Sequence, residues 1–339
     1  MRELLFPLRW GYQMVTGLRN WMYDHRVLRS RVVEAGVLAI GNVTVGGTGK
    51  TPVTLAILEM LTKKGYSVGV ISRGYKRGKT GIHPVDTSSK AAVDFGDEPA
   101  LIKASFPEVP VYVGNKRVKT ARQLLSEKPV NFIVCDDAYQ HRAIHRDVNL
   151  LLLDATAPMT EYRMLPVGRG REALGPALKR ASYVVLTKTN IATDEQVKDL
   201  IFWLKDRSDK PVLLAPYEFR GLKNMAGETV RELKDPIYLV SGIAKAWTVE
   251  KTLEGVAKIV KHKSFADHHR YTHVEVETML DEASHLQARW IVTTAKDAVK
   301  LRHFRALQDR LWVIEMGVNL AGDLKEFYAD IDRLARARG

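Results

Sequence analysis

The chain has 339 residues, of which 45% are hydrophobic and 27% charged, a composition that excludes disordered and collagen-like classes and is typical of globular proteins. Its net charge of +13 favours polyanionic partners. Because no nucleic-acid-binding motif accompanies that charge, we expect phosphorylated compounds or an anionic membrane surface rather than nucleic acid. The single cysteine, Cys135, excludes an internal disulfide and a cysteine-based metal cluster, and it is expected to be a small buried apolar residue.

Residues 3–29 are predicted to form an amphipathic helix. Its apolar arc recurs every three or four residues and consists of Leu4, Leu8, Tyr12, Val15, Leu18 and Met22. Its other side carries Arg9, Gln13, Thr16 and Asn20. Trp10, Trp21 and several arginines border the arc, a pattern typical of a helix lying in a membrane interface. A helix packed against the protein's own core would show a similar arc, so both interpretations stay open.

No uninterrupted apolar run approaches the ~18 residues of a transmembrane helix. Glu3 and Arg9 interrupt the stretch in which a secretory leader would lie. We therefore expect the protein to stay on the cytoplasmic side.

Downstream, short runs rich in Val, Ile and Leu alternate with helical patterns. The predicted strands of this part are 37–42, 68–72, 109–113, 132–135, 148–154 and 183–187, and the intervening helices include 52–64 and 116–126. These runs show little alternation between apolar and polar residues, which is typical of strands buried on both faces of a parallel sheet. The pattern therefore predicts an α/β fold.

A second set of strands is predicted at 212–215, 237–240, 290–294 and 311–315. A polar, turn-rich stretch at 220–234 predicts a domain boundary near it. The shorter second region alternates in the same way and predicts a second, smaller α/β domain.

The strongest motif begins where the first strand ends and a helix starts. Its residues are Thr44, Val45, Gly46, Gly47, Thr48, Gly49, Lys50 and Thr51. Glycines in such a loop let several N–H groups point at a phosphate, and the helix N-terminus adds a favourable dipole. Lys50 can reach the β- and γ-phosphates, and the hydroxyl of Thr51 can bind Mg²⁺. The motif predicts a nucleotide-binding P-loop, although Thr44 stands where the first glycine is usual.

The predicted strand 132–135 ends in two carboxylates, Asp136 and Asp137. A carboxylate at the end of an apolar strand is how the acidic Walker B residue reaches Mg²⁺, and its pairing with an upstream P-loop strengthens the prediction. Which of the two carboxylates would contact the metal stays open.

Three further polar clusters lie at 72–77, 96–99 and 267–270. Each also fits an ordinary structural interpretation, namely a solvated basic loop, a helix N-terminus with first-turn acids, and a surface cluster.

The order and spacing of all these segments resemble the tetraacyldisaccharide 4'-kinases, the lipid A 4'-kinases. The matching segments are 41–52, 71–75, 96–99, 136–141, 165–168 with 171–172, 267–269 and 293–300. The family's P-loop also begins with threonine, which accounts for Thr44. The chain departs from the family pattern at Ala138, Tyr139, Ala244–Ala246 and Ala295.

The resemblance implies transfer of the γ-phosphate of ATP, with Mg²⁺, to the 4'-hydroxyl of an acylated glucosamine disaccharide 1-phosphate. It implies a P-loop NTPase parallel sheet flanked by helices and a second, smaller α/β domain. The expected domains are a membrane-facing helix (1–30), a P-loop kinase domain (31–219) and a C-terminal domain that closes over the nucleotide (220–339). We expect a monomer, peripheral on the cytoplasmic face of the inner membrane.

The resemblance also implies roles for individual residues. Asp97 is expected to take the proton of the acceptor hydroxyl, and His268, favoured over His269, to pair with Asp97. The candidate metal ligands are Thr51, Glu98, Asp136 and Asp137. The candidate phosphate-binding arginines are Arg73, Arg117 and Arg171.

An alternative from another class is a membrane-bound switch ATPase or GTPase of the metal-insertion type. The segment 186–190 is similar to a guanine-reading motif, but Asn190 stands where that motif needs aspartate. A non-catalytic nucleotide-binding module is a third possibility, and turnover that depends on the acceptor would distinguish the kinase from both.

Overall fold

The computed structural model of the protein describes residues 6–338, with side chains from residue 8 onward. Leu4 of the predicted apolar arc lies outside the described residues. The chain forms two compact units: residues 1–73, 109–217 and 318–339 make the first, and residues 74–108 and 218–317 make the second.

Strands and helices alternate along most of the chain. The strands are β1 (Gly36–Asn42), β2 (Val68–Ser72), β3 (His83–Pro84), β4 (Val111–Val113), β5 (Phe132–Cys135), β6 (Val148–Asp154), β7 (Tyr183–Thr187), β8 (Val212–Ala215), β9 (Tyr217–Asn224), β10 (Thr229–Val230), β11 (Leu233–Ser241), β12 (Ala257–Ser264), β13 (Trp290–Thr294), β14 (Leu311–Val318) and β15 (Ala321–Gly322). The α-helices are α1 (Phe6–Asp24), α2 (Lys50–Lys63), α3 (Ala91–Phe95), α4 (Asp97–Ser105), α5 (Arg117–Glu127), α6 (Leu174–Arg180), α7 (Asp194–Lys205), α8 (Trp247–Leu253), α9 (His273–His285), α10 (Ala295–Leu301) and α11 (Leu324–Arg338).

The sheet of the first unit has its strands in the order β15-β8-β7-β6-β1-β5-β2-β4. The neighbours from β8 to β4 are parallel, and only β15 runs antiparallel, to β8. Strands β1, β2, β5, β6 and β7 are buried along their whole lengths, as their continuous apolar sequences require. The predicted α/β fold is confirmed, and the carboxyl ends of β1 and its partner β5 lie side by side.

The second unit has its own sheet, in the order β10-β9-β14-β13-β11-β12. Strands β12, β11, β13 and β14 are parallel, whereas β9 and β10 form an antiparallel hairpin. The stretch 220–234, predicted to be only turn-rich, therefore contains a hairpin. Strand β12 was also missed by the sequence analysis, because its half-exposed sequence carries lysines at 258, 261 and 263, as is common on the edge of a sheet.

The division of the chain differs from the expected one at three places. The last helix, α11, belongs to the first unit, since its Phe327 and Ile331 are buried and its Asp330 accepts a 2.7 Å hydrogen bond from Tyr183. Residues 74–108, expected in the P-loop domain, belong to the second unit, where α3 and α4 pack against α10. The predicted strand 212–215 is β8 of the first unit rather than the start of a second set.

Helix α1 turns its polar side toward the rest of the first unit. Half-buried residues along it are Arg9, Thr16, Asn20, Met22 and Tyr23, most of them polar. Asn20 donates a 3.1 Å hydrogen bond to Glu172, and Tyr12 donates one of 3.0 Å to the main-chain oxygen of Arg171. The apolar side of α1 is exposed and carries Leu8, Trp10, Met14, Val15, Leu18 and Trp21. Packing of the apolar arc on the core, one of the two interpretations of this helix, is therefore wrong.

Candidate active site

The P-loop connects the end of β1 to the start of α2. Gly46 and Gly49 have φ angles of 109° and 81°, in the region that other residues rarely adopt. A Cβ atom on Gly49 would lie 2.6 Å from the hydroxyl of Tyr217, so both conformation and space require glycine there. Helix α2 begins at Lys50 without a side-chain cap, which leaves the first N–H groups of the helix to a ligand.

Buried side chains from neighbouring strands hold the P-loop in place. Asn42, fully buried at the end of β1, donates to the hydroxyl of Thr48. From β7, the Thr187 hydroxyl donates a 2.9 Å hydrogen bond to the main-chain oxygen of Thr48. Next to it, Lys188 donates at 2.8 Å to the oxygen of Gly47 and forms a 2.7 Å ion pair with Asp154. The carboxyl ends of three adjacent strands therefore support the loop.

Lys50 and Asp137 form the polar centre of the first unit. The Lys50 Nζ lies 3.6 Å from Asp137 Oδ1 and 3.5 Å from Asn42 Oδ1. Arg171 approaches both oxygens of Asp137 at 3.3 Å. Burial alone would raise the pKa of Asp137, but the charges of Lys50 and Arg171 outweigh it and hold that pKa below its usual value. Asp137 is therefore an ionised carboxylate beside the phosphate-binding loop.

Asp136 has different surroundings from its neighbour. It is fully buried, and its carboxylate accepts hydrogen bonds from Thr54 at 3.4 Å and from Ser72 at 3.3 Å. Asp137 adopts a left-handed conformation with φ of 45°, which costs on the order of 1 kcal/mol in a residue with a side chain. That conformation turns the two adjacent carboxylates to different environments, and Asp137 contacts Lys50.

The three predicted arginines are placed differently. The side chain of Arg171 contacts Asp137, and its main-chain oxygen accepts the hydrogen bond from Tyr12 of α1. Arg73 is exposed at the end of β2. Arg117 is buried, and its guanidinium donates to the main-chain oxygens of Gly114 at 2.8 Å and Asp136 at 3.3 Å. Arg117 therefore stabilises the end of β5, whereas Arg73 and Arg171 are more accessible to an anion.

Cys135 and His141 flank the two carboxylates in sequence. Cys135 is fully buried, and burial raises the pKa of its thiol to about 12, which fits the expected apolar role. Burial, followed by the charges of Arg117 and Arg73, lowers the pKa of His141 to about 4. His141 is therefore a neutral imidazole at physiological pH.

The second unit contains a separate cluster around Asp97, at the N-terminus of α4. His268 Nδ1 lies 3.2 Å from Asp97 Oδ2, and the Nζ of Lys300 lies 3.4 Å from the same oxygen. Burial would raise the pKa of Asp97, but the hydrogen bond from His268 and the charges of Lys300 and Lys296 hold it below its usual value. His268 itself has a left-handed φ of 63°.

His269 points elsewhere. Its Nε2 lies 3.0 Å from Glu275, and its ring stacks on Phe265 at 4.5 Å between centroids. The structure thus brings His268, not His269, to Asp97. Glu98 is half-buried in the first turn of α4, and it contributes to the raised pKa of Lys296 after the opposing effect of burial.

In the segment 186–190, which is similar to a guanine-reading motif, the side-chain amide of Asn190 is not available to bind a guanine base. Asn190 donates a 2.8 Å hydrogen bond to the oxygen of Tyr217 and accepts one of 2.8 Å from its N–H. Both functional ends of the Asn190 side chain are thus bound to the main chain of Tyr217, and Lys188 is bound to Asp154. The segment supports the P-loop and the Tyr217 region.

Within residues 6–338, no group of three or more His, Cys, Asp or Glu side chains could hold a metal ion by itself. A P-loop site does not need such a group, because Mg²⁺ is held there by one hydroxyl, one carboxylate, phosphate oxygens and water. Thr51 in the first turn of α2 and the ionised Asp137 supply that donor set, so the residues fit the ion. Among the helices of the described chain, none has the length and hydrophobicity needed to cross a bilayer.

Several supporting residues were not among the predicted site residues. They are Asn42, Asp154, Thr187, Lys188, Tyr217, Lys296 and Lys300. For Asp154 and Lys188 a signal existed, since each lies at or just after the carboxyl end of a predicted strand. Nothing local in the sequence distinguishes Lys300 from a surface lysine.

Comparisons with known proteins agree with this geometry. The family model described as tetraacyldisaccharide-1-P 4'-kinase matches residues 1–336. The tetraacyldisaccharide 4'-kinase of Bdellovibrio bacteriovorus is 36% identical over 99% of this chain and 100% of its own length. That of Bacteroides thetaiotaomicron is 32% identical over 92% of this chain and 86% of its length. The crystal structure of LpxK from Aquifex aeolicus in complex with ATP superposes with a TM-score of 0.80 at 28% identity, covering 98% of this chain and 99% of that one.

Proposed function

The chain belongs to the tetraacyldisaccharide-1-P 4'-kinase family, and from this premise we propose that it transfers the γ-phosphate of ATP to the 4'-hydroxyl of an acylated glucosamine disaccharide 1-phosphate at a membrane surface. The observation that carries the proposal is the P-loop with Lys50 placed 3.6 Å from the ionised Asp137. A nucleotide-binding loop beside a strand-end carboxylate is the arrangement that phosphoryl transfer requires. The ATP in the Aquifex aeolicus structure supports the same nucleotide.

In the proposed mechanism, the N–H groups of the P-loop and the ammonium of Lys50 bind the triphosphate. Thr51 and Asp137 would hold Mg²⁺, which neutralises charge on the phosphates, while Glu98 and Asp136 act through water or through neighbouring groups. Asp137 is preferred over Asp136 as the direct ligand because Asp136 is buried against Thr54 and Ser72. Arg73 and Arg171 bind phosphate groups of the nucleotide or of the lipid, since guanidinium matches phosphate bidentately.

Asp97 receives the proton of the acceptor hydroxyl as its oxygen forms a bond to the γ-phosphorus and the bond to the β–γ bridging oxygen breaks. The lowered pKa of Asp97 makes it a weak base that is ionised at neutral pH. Its contribution is therefore mainly to orient the hydroxyl, which suits the loose transition state of phosphoryl transfer. We also propose that the second unit closes over the bound nucleotide.

The exposed apolar side of α1 supports membrane binding. Val15 is 69% and Leu18 60% exposed, although both are large and apolar. A contiguous apolar surface on a helix with basic neighbours is typical of a helix lying in a membrane interface. We propose a monomer that binds the cytoplasmic face of the inner membrane peripherally through this side of α1, because the lipid acceptor resides in a membrane.

The decisive experiment measures ATP consumption with and without detergent-solubilised acylated glucosamine disaccharide 1-phosphate and follows the lipid by mass spectrometry. We expect the addition of one phosphate to the lipid, with an equal loss of ATP. Folded protein that hydrolyses ATP without modifying the lipid would contradict the proposal. Lys50→Met is the matched control, since it removes the ammonium that binds the phosphates.

A further inference from the structure

Gln140 follows β5 in the chain, and its side-chain amide connects two separate parts of the first unit. The NH₂ group donates a 2.8 Å hydrogen bond to the main-chain oxygen of Asn42, the last residue of β1. It donates a second one, of 3.0 Å, to Oε1 of Glu172. Because a side-chain amide nitrogen carries two hydrogens, both donors of Gln140 are engaged, one at the entrance to the P-loop and one at Glu172.

Glu172 is the buried acceptor that joins Gln140 to helix α1. It is 3% exposed, and its Oε2 accepts a hydrogen bond from Arg180 and one of 3.1 Å from Asn20 of α1. A buried carboxylate that loses one donor cannot replace it with water at low cost, so these contacts constrain one another. A continuous chain of side chains therefore runs from Asn20 through Glu172 and Gln140 to the end of β1.

The segment to which α1 binds also pairs with the P-loop through its main chain. The N–H of Arg171 donates to the oxygen of Val43 at 2.6 Å, and the N–H of Val45 donates to the oxygen of Arg169 at 2.8 Å. The main-chain oxygen of Arg171 accepts the hydrogen bond from Tyr12 of α1. The contacts of α1 therefore lie directly against the strand that leads into the phosphate-binding loop.

Asn42 transmits its own position to the P-loop. Its side chain donates to the hydroxyl of Thr48 and, at 3.2 Å, to that of Thr44. Its Oδ1 lies 3.5 Å from the Nζ of Lys50. A shift of the main chain at Asn42 would therefore displace groups at the start and at the end of the loop, and the hydrogen bond from Gln140 opposes that shift.

Several of the contacts that hold α1 in place are hydrogen bonds to this same region. Arg19 donates at 2.9 Å to the main-chain oxygen of Gln140. Arg142 donates at 2.9 Å to the main-chain oxygen of Asn20 and at 2.6 Å to Asp24. Such hydrogen bonds are individually weak, so the docking of α1 depends on how firmly their partners are held.

We propose that Gln140 is a positioning residue that couples helix α1 to the P-loop. With α1 docked, Glu172 and Gln140 hold the end of β1 in the form that binds the phosphates of ATP. The coupling rests on the proposed binding of ATP by the P-loop and does not depend on the identity of the acceptor. Because coupling between two binding equilibria is reciprocal, bound ATP strengthens the docking of α1 in turn.

The first test measures the affinity for MgATP by calorimetry in the full-length protein without lipid, so that no turnover is needed. Gln140→Leu removes both donors at similar size, and Kd should rise about three- to tenfold, as expected for the loss of a hydrogen bond. The matched control is Gln123→Leu, which removes an exposed 2.9 Å hydrogen bond to Glu127 on α5 and should bind ATP as wild type does. An unchanged Kd in Gln140→Leu would overturn the inference.

A substitution on α1 itself tests the path. Asn20→Ala should also raise Kd for MgATP, and since alanine favours a helix, unfolding of α1 is not the cause. In the double variant, Asn20→Ala should add less than about twofold to the effect of Gln140→Leu, because the chain of contacts is already broken. Two residues with separate structural roles would give effects that multiply, and that result would contradict the coupling.

The second test measures hydrogen exchange of the main-chain amides of residues 12–24 with and without saturating MgATP. We expect ATP to slow this exchange in the wild-type protein and not in Gln140→Leu. The wild-type measurement is decisive even if a variant fails to fold, because unchanged exchange there would overturn the inference. If ATP protects α1 but the protein does not phosphorylate the lipid, the proposed function fails while the coupling stands.

Discussion

The hydroxyl of Tyr12 on α1 donates a 3.0 Å hydrogen bond to the main-chain oxygen of Arg171. The side chain of Arg171 contacts both oxygens of Asp137 at 3.3 Å. Helix α1 is therefore connected through Arg171 to Asp137, the carboxylate beside the P-loop. If the exposed side of α1 rests on a membrane, the phosphate-binding loop is held close to the surface in which the lipid acceptor lies.

The first prediction concerns that exposed side. The double substitution Val15→Asp with Leu18→Asp should lower binding to anionic vesicles at least about tenfold, because each large apolar side chain transferred from water contributes about 1.5–3 kcal/mol. Sedimentation with phosphatidylglycerol-containing vesicles measures the effect. The matched control is Phe202→Asp on α7, which removes an apolar side chain that is 78% exposed outside α1. Equal loss of binding in the control would contradict a specific role for α1.

The second prediction concerns Asp97. Asp97→Asn keeps the size of the side chain but removes the charge that accepts a proton, so kcat should fall by about 10²–10⁴-fold. The dissociation constant for ATP, measured by calorimetry, should stay unchanged, because the P-loop is intact. Asp94→Asn is the control, since Asp94, on the preceding helix α3, forms a partly exposed 3.0 Å ion pair with Lys79. Wild-type turnover in Asp97→Asn would remove this residue from the mechanism.

The third prediction concerns the buried pair of Lys188 and Asp154, with side chains 4% and 5% exposed. Lys188→Met should lower the free energy of unfolding by about 3–5 kcal/mol, because a buried carboxylate loses its ammonium partner. It should also raise KM for ATP, since the oxygen of Gly47 loses its donor. Urea denaturation and steady-state kinetics measure the two effects.

A second substitution separates those effects. In Lys188→Met with Asp154→Asn the buried charge is removed as well, so stability should recover part of the loss while KM for ATP stays raised. Lys63→Met, which breaks a surface pair with Glu59, should change stability by no more than about 1 kcal/mol. If KM recovered together with stability, the effect on ATP would be a consequence of unfolding alone.

The parts of the site that sequence could predict are those that depend on local chemistry. The P-loop is recognisable because glycines, a lysine and a hydroxyl must stand at fixed spacing between a strand and a helix. Asp136 and Asp137 are recognisable because a carboxylate follows an apolar strand. The same local rules predicted most of the buried strands of the first unit, since strands covered on both faces have continuous apolar sequences.

The remaining parts depend on contacts between distant residues. Asp97 and His268 are 171 positions apart, and only the family resemblance paired them. Residues 74–108 belong to the second unit because α4 packs against α10. The sequence periodicity of neither helix predicts this contact. Strand β12 was missed because an exposed edge strand rich in lysine lacks the apolar run that buried strands have.

The last prediction concerns the pH dependence of stability. Burial lowers the pKa of His141 to about 4 in the folded protein, whereas its ordinary value is 6.5. Between these values the unfolded chain binds the proton and the folded chain does not, so stability is fully present above pH 6.5 and is lost as the pH falls toward 4. This difference corresponds to about 2–3 kcal/mol. Urea denaturation at a series of pH values should show that slope in the wild-type protein.

His141→Gln tests the origin of that slope, because glutamine is polar and does not titrate. The variant should lose about 2–3 kcal/mol less stability than wild type between pH 6.5 and 4. His285→Gln is the matched control, since His285 is exposed at the end of α9 and donates or accepts only within its own helix in the described contacts. It should retain the wild-type slope. If the slope persisted in His141→Gln, other titrating groups would account for the acid sensitivity, and the half-buried His141 imidazole would not.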